Sequence, residues 1–526
     1  MNMAEEKVRD IRGFEKAAAE AARFLLGSKS VLVIGHIDAD GITASSIASV
    51  ALRRAGIEHN VRFVKKLDDA ELDRAKASPM ERLWFVDLGS GMFSRLDPER
   101  SAVSDHHRPD DSHPRTRGQA DLFSFAGYHV NPHLYGLDGS TEISGAGATY
   151  AVAKAMDPCN RDLAVLAVIG AVGDFQDSAE GRLTGYNRTI LQDAVDAGLV
   201  RAEKDLRLFG RQTRPLHTLL QHSSDPPLLP YITRRRAGAN PLGEDPVKQD
   251  EDKMACIDFV TECGVPVSEG GRLRYWSELS WEERQAVVSR LVDRMIDSGK
   301  GVAQVRKVIG EAYTLSEDLP GAPPGWFKGD DVKLRAIFDA KEFATLLNAC
   351  GRHEKADLGR AVCQGDRAEA FREAIEQQDD HREKLKAAIE LVKNGEGNRP
   401  TDVTGGGEGL SNIRYFHSGD RIEDTIVGIV AGMVLGSDAR LADRPLIGFA
   451  QAMDGTCSVK VSARGTRDLV KRGLDLSIAL RGAAESAGGT GGGHNIAAGA
   501  TIPGGREDEF LLALDRIVGD QLSRAL

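Results

Sequence analysis

No two cysteines in this chain are separated by two residues. The six, Cys159, Cys256, Cys263, Cys350, Cys363 and Cys457, are scattered, so nothing supports a zinc ribbon. Their dispersal fits reduced, buried thiols and a reducing compartment. No apolar run is long enough to span a membrane. The most apolar stretch, Ala164–Gly173, is about half the ~20 residues a bilayer needs. The N-terminal segment to Ser28 carries acids early and no long apolar core, and reads as an amphipathic helix rather than a signal peptide. These absences predict a cytoplasmic protein with no membrane partner. Positive charge is not in excess either: Lys+Arg 68 against Asp+Glu 79 gives a net charge of −11. That excludes coating of duplex nucleic acid by bulk charge, while leaving room for a local basic groove. No G-x-x-x-x-G-K-[ST] sequence occurs, which argues against a nucleotide-hydrolysing P-loop.

What is present suffices for more than one core. The chain has 526 residues, 41% of them apolar, which predicts two or three domains. In the first part, Ser30–Gly35, Val61–Val64, Leu83–Val86 and Ala102–Ser104 read as strands. Thr43–Ala55, Gly145–Met156 and Asp162–Val172 read as helices. Strands separated by helices predict an α/β domain with a doubly wound parallel sheet. Prolines in Ser223–Pro230 and the polar stretch Gly238–Asp252 mark a connector. A helical middle follows. Ser280 with Glu283 is a capping box, and Val287, Val288, Leu291, Val292, Met295 and Ile296 repeat at helical spacing. A charged helix is expected over Asp366–Lys393, then a linker over Asn394–Gly409. Strands at Leu446–Ala450, Ser458–Val461 and Ile496–Ile502, with helices at Asp475–Ser486 and Glu507–Leu522, predict a smaller C-terminal α/β domain. The expected partition is 1–220, 221–400 and 410–526.

The candidate chemistry sits at predicted strand ends. His36-Ile-Asp38-Ala-Asp40-Gly41 closes the first strand, Asp87-Leu-Gly89 another, and Asp105-His106-His107 a third. Asp174 ends the run from Asp162, with Asp177 just beyond. Open parallel sheets bind ligands beyond the carboxyl ends of their strands. Asp38 and Asp40, two residues apart, would share a side of an extended segment. Two divalent ions ~4 Å apart can activate a water and clamp the oxygens of a phosphoryl transfer. A mixed carboxylate–imidazole donor set suits manganese, with magnesium as the alternative. Asp105 could orient a neighbouring imidazole. A lone aspartate after a strand is more often a turn residue or helix cap; the conjunction favours metal binding.

The order H-x-D-x-D-G, V-D-L-G, D-H-H and G-A-V-G-D resembles the DHH phosphoesterase superfamily. The resemblance implies that Asp38, Asp40, Asp87, His106 and Asp174 bind two ions, with Asp87 bridging, and that His107 contacts the scissile phosphate. His36, Asp105 and His107 are thus the catalytic candidates. Ile34 stands where some small-molecule members carry an additional His. Asn131-Pro132 and Ser144-Gly-Ala-Gly147 resemble the segments that follow D-H-H in the family.

The glycine cluster Gly488–Gly499, with Gly492, Gly493 and His494, could cradle a phosphate through backbone amides. Arg464 ends the preceding strand and offers a guanidinium. Together they resemble the substrate-binding (DHHA1) domain that accompanies DHH domains. The resemblance implies that Arg464, Gly492, Gly493 and His494 hold a substrate strand across a cleft from the metals. Gly210-Arg-Gln-Thr-Arg-Pro215 and Glu342–Arg352 resemble the archaeal RecJ-like proteins, with Arg211, Arg214, Asn348 and Arg352 as further strand contacts. That resemblance also implies the replication factor GINS as a partner. The leading expectation is a single-strand-specific exonuclease on DNA or RNA. The alternatives are a phosphodiesterase for very short oligonucleotides or a cyclic dinucleotide, and a replication scaffold with little or no activity.

Overall fold

Alternation along each N-terminal strand sorts side chains to the two faces of one sheet. In the computed structural model, which describes residues 9–110, 127–223, 227–233, 246–327, 331–395, 399–453 and 455–523, the first elements are α1 (Ile11–Leu26), β1 (Ser30–His36), α2 (Ala39–Arg54), β2 (Glu58–Val64), α3 (Asp69–Lys76), β3 (Arg82–Val86), β4 (Ser101–Ser104) and β5 (Tyr128–Val130). The strands form a parallel sheet in the order β2-β1-β3-β4-β5. Val31, Val33, Trp84, Val86 and Ala102 face one core. Leu32, Ile34, Leu83, Phe85 and Val103 face another. The first core is covered by α1, α2, α4 (Gly145–Met156) and α5 (Ala164–Gly173), the second by α3. The order reverses at β1, so the crevice beyond β1 and β3 is the topological switch point.

The chain continues through α6 (Tyr186–Asp196) and β6 (Val200–Leu206). Helices α7 (Leu216–Gln221), α8 (Leu229–Ile232), α9 (Pro246–Glu262), α10 (Trp281–Asp297) and α11 (Val302–Val308) follow, with a small hairpin of β7 (Ser268–Glu269) and β8 (Arg272–Leu273) between α9 and α10. They enclose a core around Phe259, Trp276 and Leu291. β9 (Ile309–Leu315) then pairs antiparallel with β6. α12 (Ala340–Arg352) and α13 (Ala356–Cys363) return to α2, and α14 (Glu369–Asn394) follows.

Two compact units result. One comprises the described residues of Met1–Arg234 and Asp250–Gln378; the other comprises chiefly those of Asp379–Leu526. The expected three-way partition is finer than this division. The second unit contains β10 (Arg414–His417), α15 (Val427–Ser437), β11 (Leu446–Gln451), β12 (Ser458–Arg464), α16 (Arg467–Lys471), α17 (Leu476–Ser486), β13 (Thr490–Gly493), β14 (Ala497–Pro503) and α18 (Glu507–Ser523). Its sheet runs β10-β11-β12-β14-β13, with β10–β11 parallel and the other pairs antiparallel.

Several expectations change. α2 begins at Ala39, because Asp38 Oδ1 accepts from Gly41 N (2.9 Å) and caps the helix. Asp40 therefore lies in a helical turn, and the two aspartates do not share a side of an extended segment. The capping box of α10 forms as expected. Its buried stripe is narrower than the periodicity: Val287, Leu291 and Met295 are buried, whereas Ile296 is exposed. The expected linker is partly structured, since Gly405 N and Gly406 N donate to the Asp508 carboxylate at the start of α18 (3.2 and 3.1 Å). Part of the glycine cluster is a strand rather than a loop. Thr490–Gly493 is an edge strand paired with β14, and His494 N donates to Ala497 O (2.8 Å) to close the hairpin. Residues 224–226 and 238–245 of the expected connector, and 396–398 of the linker, lie outside the described residues.

Candidate metal centre

The ends of β1, β3 and β4 bring their acids and imidazoles together, joined by the C-terminus of α5. His36, Asp38 and Asp87 form one group; Asp40, His106 and Asp174 form a second; Asp87, Asp105, His106 and His107 form a third. Within each, one donor atom per residue lies within 4.8 Å of the others. Asp87 thus adjoins both imidazoles: His36 Nδ1 is 3.7 Å from its Oδ2 and His106 Nε2 is 3.3 Å from its Oδ1. All five expected ligands converge, and His36, 2.9 Å from Asp38 Oδ2, stands as a donor beside them. Ile34 is buried in the core with Leu32, Leu83 and Phe85, whereas His36, at the end of β1, stands beside Asp38 and Asp87.

Each side chain is held by local structure. Asp87 follows β3 at φ +59°, a left-handed conformation that aspartate tolerates better than bulkier residues. α4 reaches it through Gly145, where a Cβ would lie 2.7 Å from Asp87 Cα. Asp40 accepts from Gly145 N (2.7 Å) and Ala146 N (3.0 Å), so the N-terminus of α4 holds a buried carboxylate. Asp105 Oδ1 accepts from His106 N, His107 N and His107 Nδ1, and its Oδ2 accepts from Ser90 N. This is the orienting role expected of it, and it leaves His107 half-exposed. Asn131 Nδ2 donates to Ser90 Oγ and to His107 O, fastening the same turn.

A second support was not legible in the sequence. His106 Nδ1 donates to Gly139 O (2.6 Å), which fixes the tautomer of the neutral ring and leaves Nε2 with its lone pair toward Asp40 and Asp87. Gln176 Nε2 donates to the same carbonyl (2.9 Å) and to Asp174 Oδ2 (3.1 Å), while its Oε1 accepts from Asn187 Nδ2 (2.7 Å). One buried amide thereby ties Asp174 to the carbonyl that orients His106. Nothing at position 176 announces this, because its partners lie 2, 37 and 11 residues away.

The electrostatics fit cations. Asp87 Oδ1 is buried with no hydrogen-bond donor, and it faces the His106 nitrogen that carries a lone pair in the neutral ring. Two acceptors at 3.3 Å are stable only with a proton or a metal ion between them. Burial alone would lower the His36 imidazole, but Asp38 and Asp87 raise it well above its ordinary value. Burial likewise opposes protonation of His106, and Asp174, Asp87 and Asp40 overcome it. Burial, with Asp87 adding to it, raises Asp40; burial pushes Asp174 up to about 6 against the lowering pull of His106. Burial would raise Asp105, yet His107 holds it far below the carboxylate range. The residues present therefore suit divalent metal binding through oxygen and nitrogen donors.

The four expected strand contacts divide. Arg211 is buried between Asp205 (3.6 Å) and Asp339 (3.7 Å) and serves the core. Arg214 lies over the Phe209 ring. Asn348 Oδ1 accepts from Ala39 N (2.9 Å), steadying the start of α2. Arg352 alone borders the centre, where burial lowers its guanidinium and Asp38 opposes that effect. In the second unit, Arg464 ends β12 and lies along α15, where a Cβ on Gly428 would come within 2.5 Å of its Nη2.

The sheet order, the paired ligand groups and the C-terminal α/β unit define a class. The chain carries two domains that match models of DHH-associated families, and it has the RecJ-like fold. Family models match a DHHA1 domain at residues 412–520 and a DHH-CID domain at 247–309. The chain is 26% identical over 532 aligned positions to an uncharacterized protein of Methanocaldococcus jannaschii, covering 99% of this chain and 100% of that one. Its fold is similar to RecJ of Thermus thermophilus in complex with Mn2+ (TM-score 0.52, 15% identity), covering 98% of this chain and 56% of that one. It is also similar to CDC45 of Entamoeba histolytica (TM-score 0.59, 13% identity), covering 97% and 99%. Among the described residues no helix is long and apolar enough to cross a membrane.

Proposed function

We propose that the protein is a two-metal phosphodiesterase that degrades single-stranded nucleic acid from an end. The observation that carries this reading is the gathering of His36, Asp38, Asp40, His106 and Asp174 around the orphaned Asp87 Oδ1. His36, Asp38 and Asp87 would hold one divalent ion, and Asp40, His106 and Asp174 the other, with Asp87 between them. When bound, such a pair supplies activation of a water and charge neutralisation on the phosphoryl oxygens. His107, held by Asp105 through Nδ1 and half-exposed, would donate from its other nitrogen to a phosphate oxygen. Arg352 places a fixed positive charge beside Asp38, where a non-bridging oxygen can accept from it. Manganese is the preferred ion, because imidazole joins the carboxylates.

In the second unit Arg464, Gly492, Gly493 and His494 would bind the sugar-phosphate backbone. Backbone recognition is sequence-tolerant, which suits processive trimming rather than base-specific cutting. The GINS-type partner belongs to the same reading and rests on resemblance to the archaeal RecJ-like proteins. The likeness to CDC45 favours a second reading, a replication scaffold. A scaffold has no need of clustered acids and imidazoles, and the presence of all five expected residues in that cluster favours the enzyme.

One digestion series separates the readings. End-labelled single-stranded DNA and RNA of graded length are incubated with Mn2+ or Mg2+. Stepwise release of mononucleotides from long strands is expected. A preference for the shortest oligomers would move the assignment to small substrates, and intact strands with bound Mn2+ would move it to a scaffold.

Gln176 gives a further expected outcome. Gln176→Met keeps the volume and removes both polar atoms. Calorimetric titration with Mn2+ should find one of two sites weakened about 10- to 100-fold, the usual effect of losing a hydrogen bond behind a ligand. Two unaltered sites would deny the amide that role.

A further inference from the structure

We infer that Phe175 is a base-stacking platform for the nucleotide whose phosphate occupies the metal centre; this rests on the nucleic-acid substrate proposed above. Phe175 follows Asp174 directly, sits at φ +57°, and is 70% exposed. Each fact is unusual for a phenylalanine. A left-handed backbone is a conformation that glycine or asparagine adopts at lower cost. An exposed ring recovers none of that cost through burial. Among the described residues it makes no ring–ring or cation–ring contact.

The flanking residues explain how the strain persists. Phe175 N donates to Val172 O (3.1 Å) and Gln176 N donates to Ala171 O (3.0 Å). Gln176 and Asp177 are each 2% exposed. Gln176 is fastened to Asp174, Gly139 and Asn187, and Asp177 accepts from Arg207 Nη2. With Asp174, Gln176 and Asp177 all pinned, the one side chain between them is forced outward. Such over-determined strain beside a ligand is a mark of function.

A nucleobase is the occupant that fits. The ring stands next in chain to a metal ligand, so whatever it touches is joined to the group on the ions. In a nucleotide that neighbour is a flat aromatic ring, and stacking accepts any base. A duplex hides the faces of its bases, so an aromatic platform here selects unpaired strands. A protein partner would explain the exposure but not its position beside Asp174.

The test reads binding, which does not require cleavage. Fluorescence anisotropy on an Asp87→Asn background compares a fully natural single strand with strands carrying an abasic residue at either terminus. Phe175→Ala should weaken binding of the natural strand about 5- to 150-fold, the range of one base–aromatic stack. It should change binding of one of the abasic strands less than about twofold, and Phe175→Trp should restore the natural affinity. Mn2+ affinity of otherwise wild-type Phe175→Ala should stay unchanged, and Phe175→Gly should melt at a higher temperature than wild type because it removes the strain. Equal affinities for the natural strand with and without the Phe175→Ala substitution, or an equal loss on every strand, would overturn the inference. Cleavage by wild type, followed in parallel, reports separately on the proposed activity.

Discussion

Asp87→Asn should leave a folded protein whose cleavage of single strands falls by at least ~10³-fold, equivalent to about 4 kcal/mol of transition-state stabilisation. The Asn variant is the informative one. Asp87 sits at φ +59° against Gly145, and asparagine accepts that backbone more readily than alanine. The amide also keeps the shape of the carboxylate while removing its charge from between His36 and His106. The lost charge repels Asp40 and Asp174 but attracts His36 and His106, so these offset each other and the melting temperature should change little. Circular dichroism melts and end-labelled digestion measure the two effects side by side. Wild-type turnover by a folded Asp87→Asn protein would remove the metal centre from the chemistry.

Manganese should stabilise the fold, and more so as pH rises. The sign follows from the ligands. His36 and His106 are raised above their ordinary values by carboxylates that outweigh burial. Their stabilising contribution in the metal-free protein is complete below the unfolded value of ~6.5 and is lost as pH climbs through the raised values. Burial raises Asp40, and raises Asp174 to about 6, so these act in the same direction from about pH 4 upward. The metal-free centre therefore destabilises the fold as its protons leave. A divalent ion needs those same groups deprotonated. The increment in melting temperature on adding Mn2+ should be small at about pH 5.5 and large at about pH 8.5. At a free concentration about 100 times Kd it corresponds to about 2.7 kcal/mol per site. An increment independent of pH would mean that the ion binds elsewhere.

How much of this was legible depends on how far apart in the chain the partners lie. The capping box at Ser280 and the adjacency of Asp105, His106 and His107 are local, and the structure keeps both. Arg211 misled, because a basic residue in a family-like segment gives no sign that Asp205 and Asp339 will enclose it. The conformation of the glycine cluster was hidden for the opposite reason. Glycines permit a phosphate-binding loop, but β14 offered a row of partners and Thr490–Gly493 paired with it.

The sequence by itself determined β1, β2, β3, β4, β11, β12 and β14 and the placement of acids and imidazoles at strand ends, because these follow from apolar runs and spacing along the backbone. Only the tertiary structure decided that Asp40 turns inward onto the amides of α4, 105 residues away, that His36 completes the first donor group, and that Gln176 ties Asp174 to the carbonyl behind His106. It also decided that Phe175 is turned out to solvent. These depend on helix packing that brings distant atoms within hydrogen-bond reach, and no period in the sequence encodes such a distance.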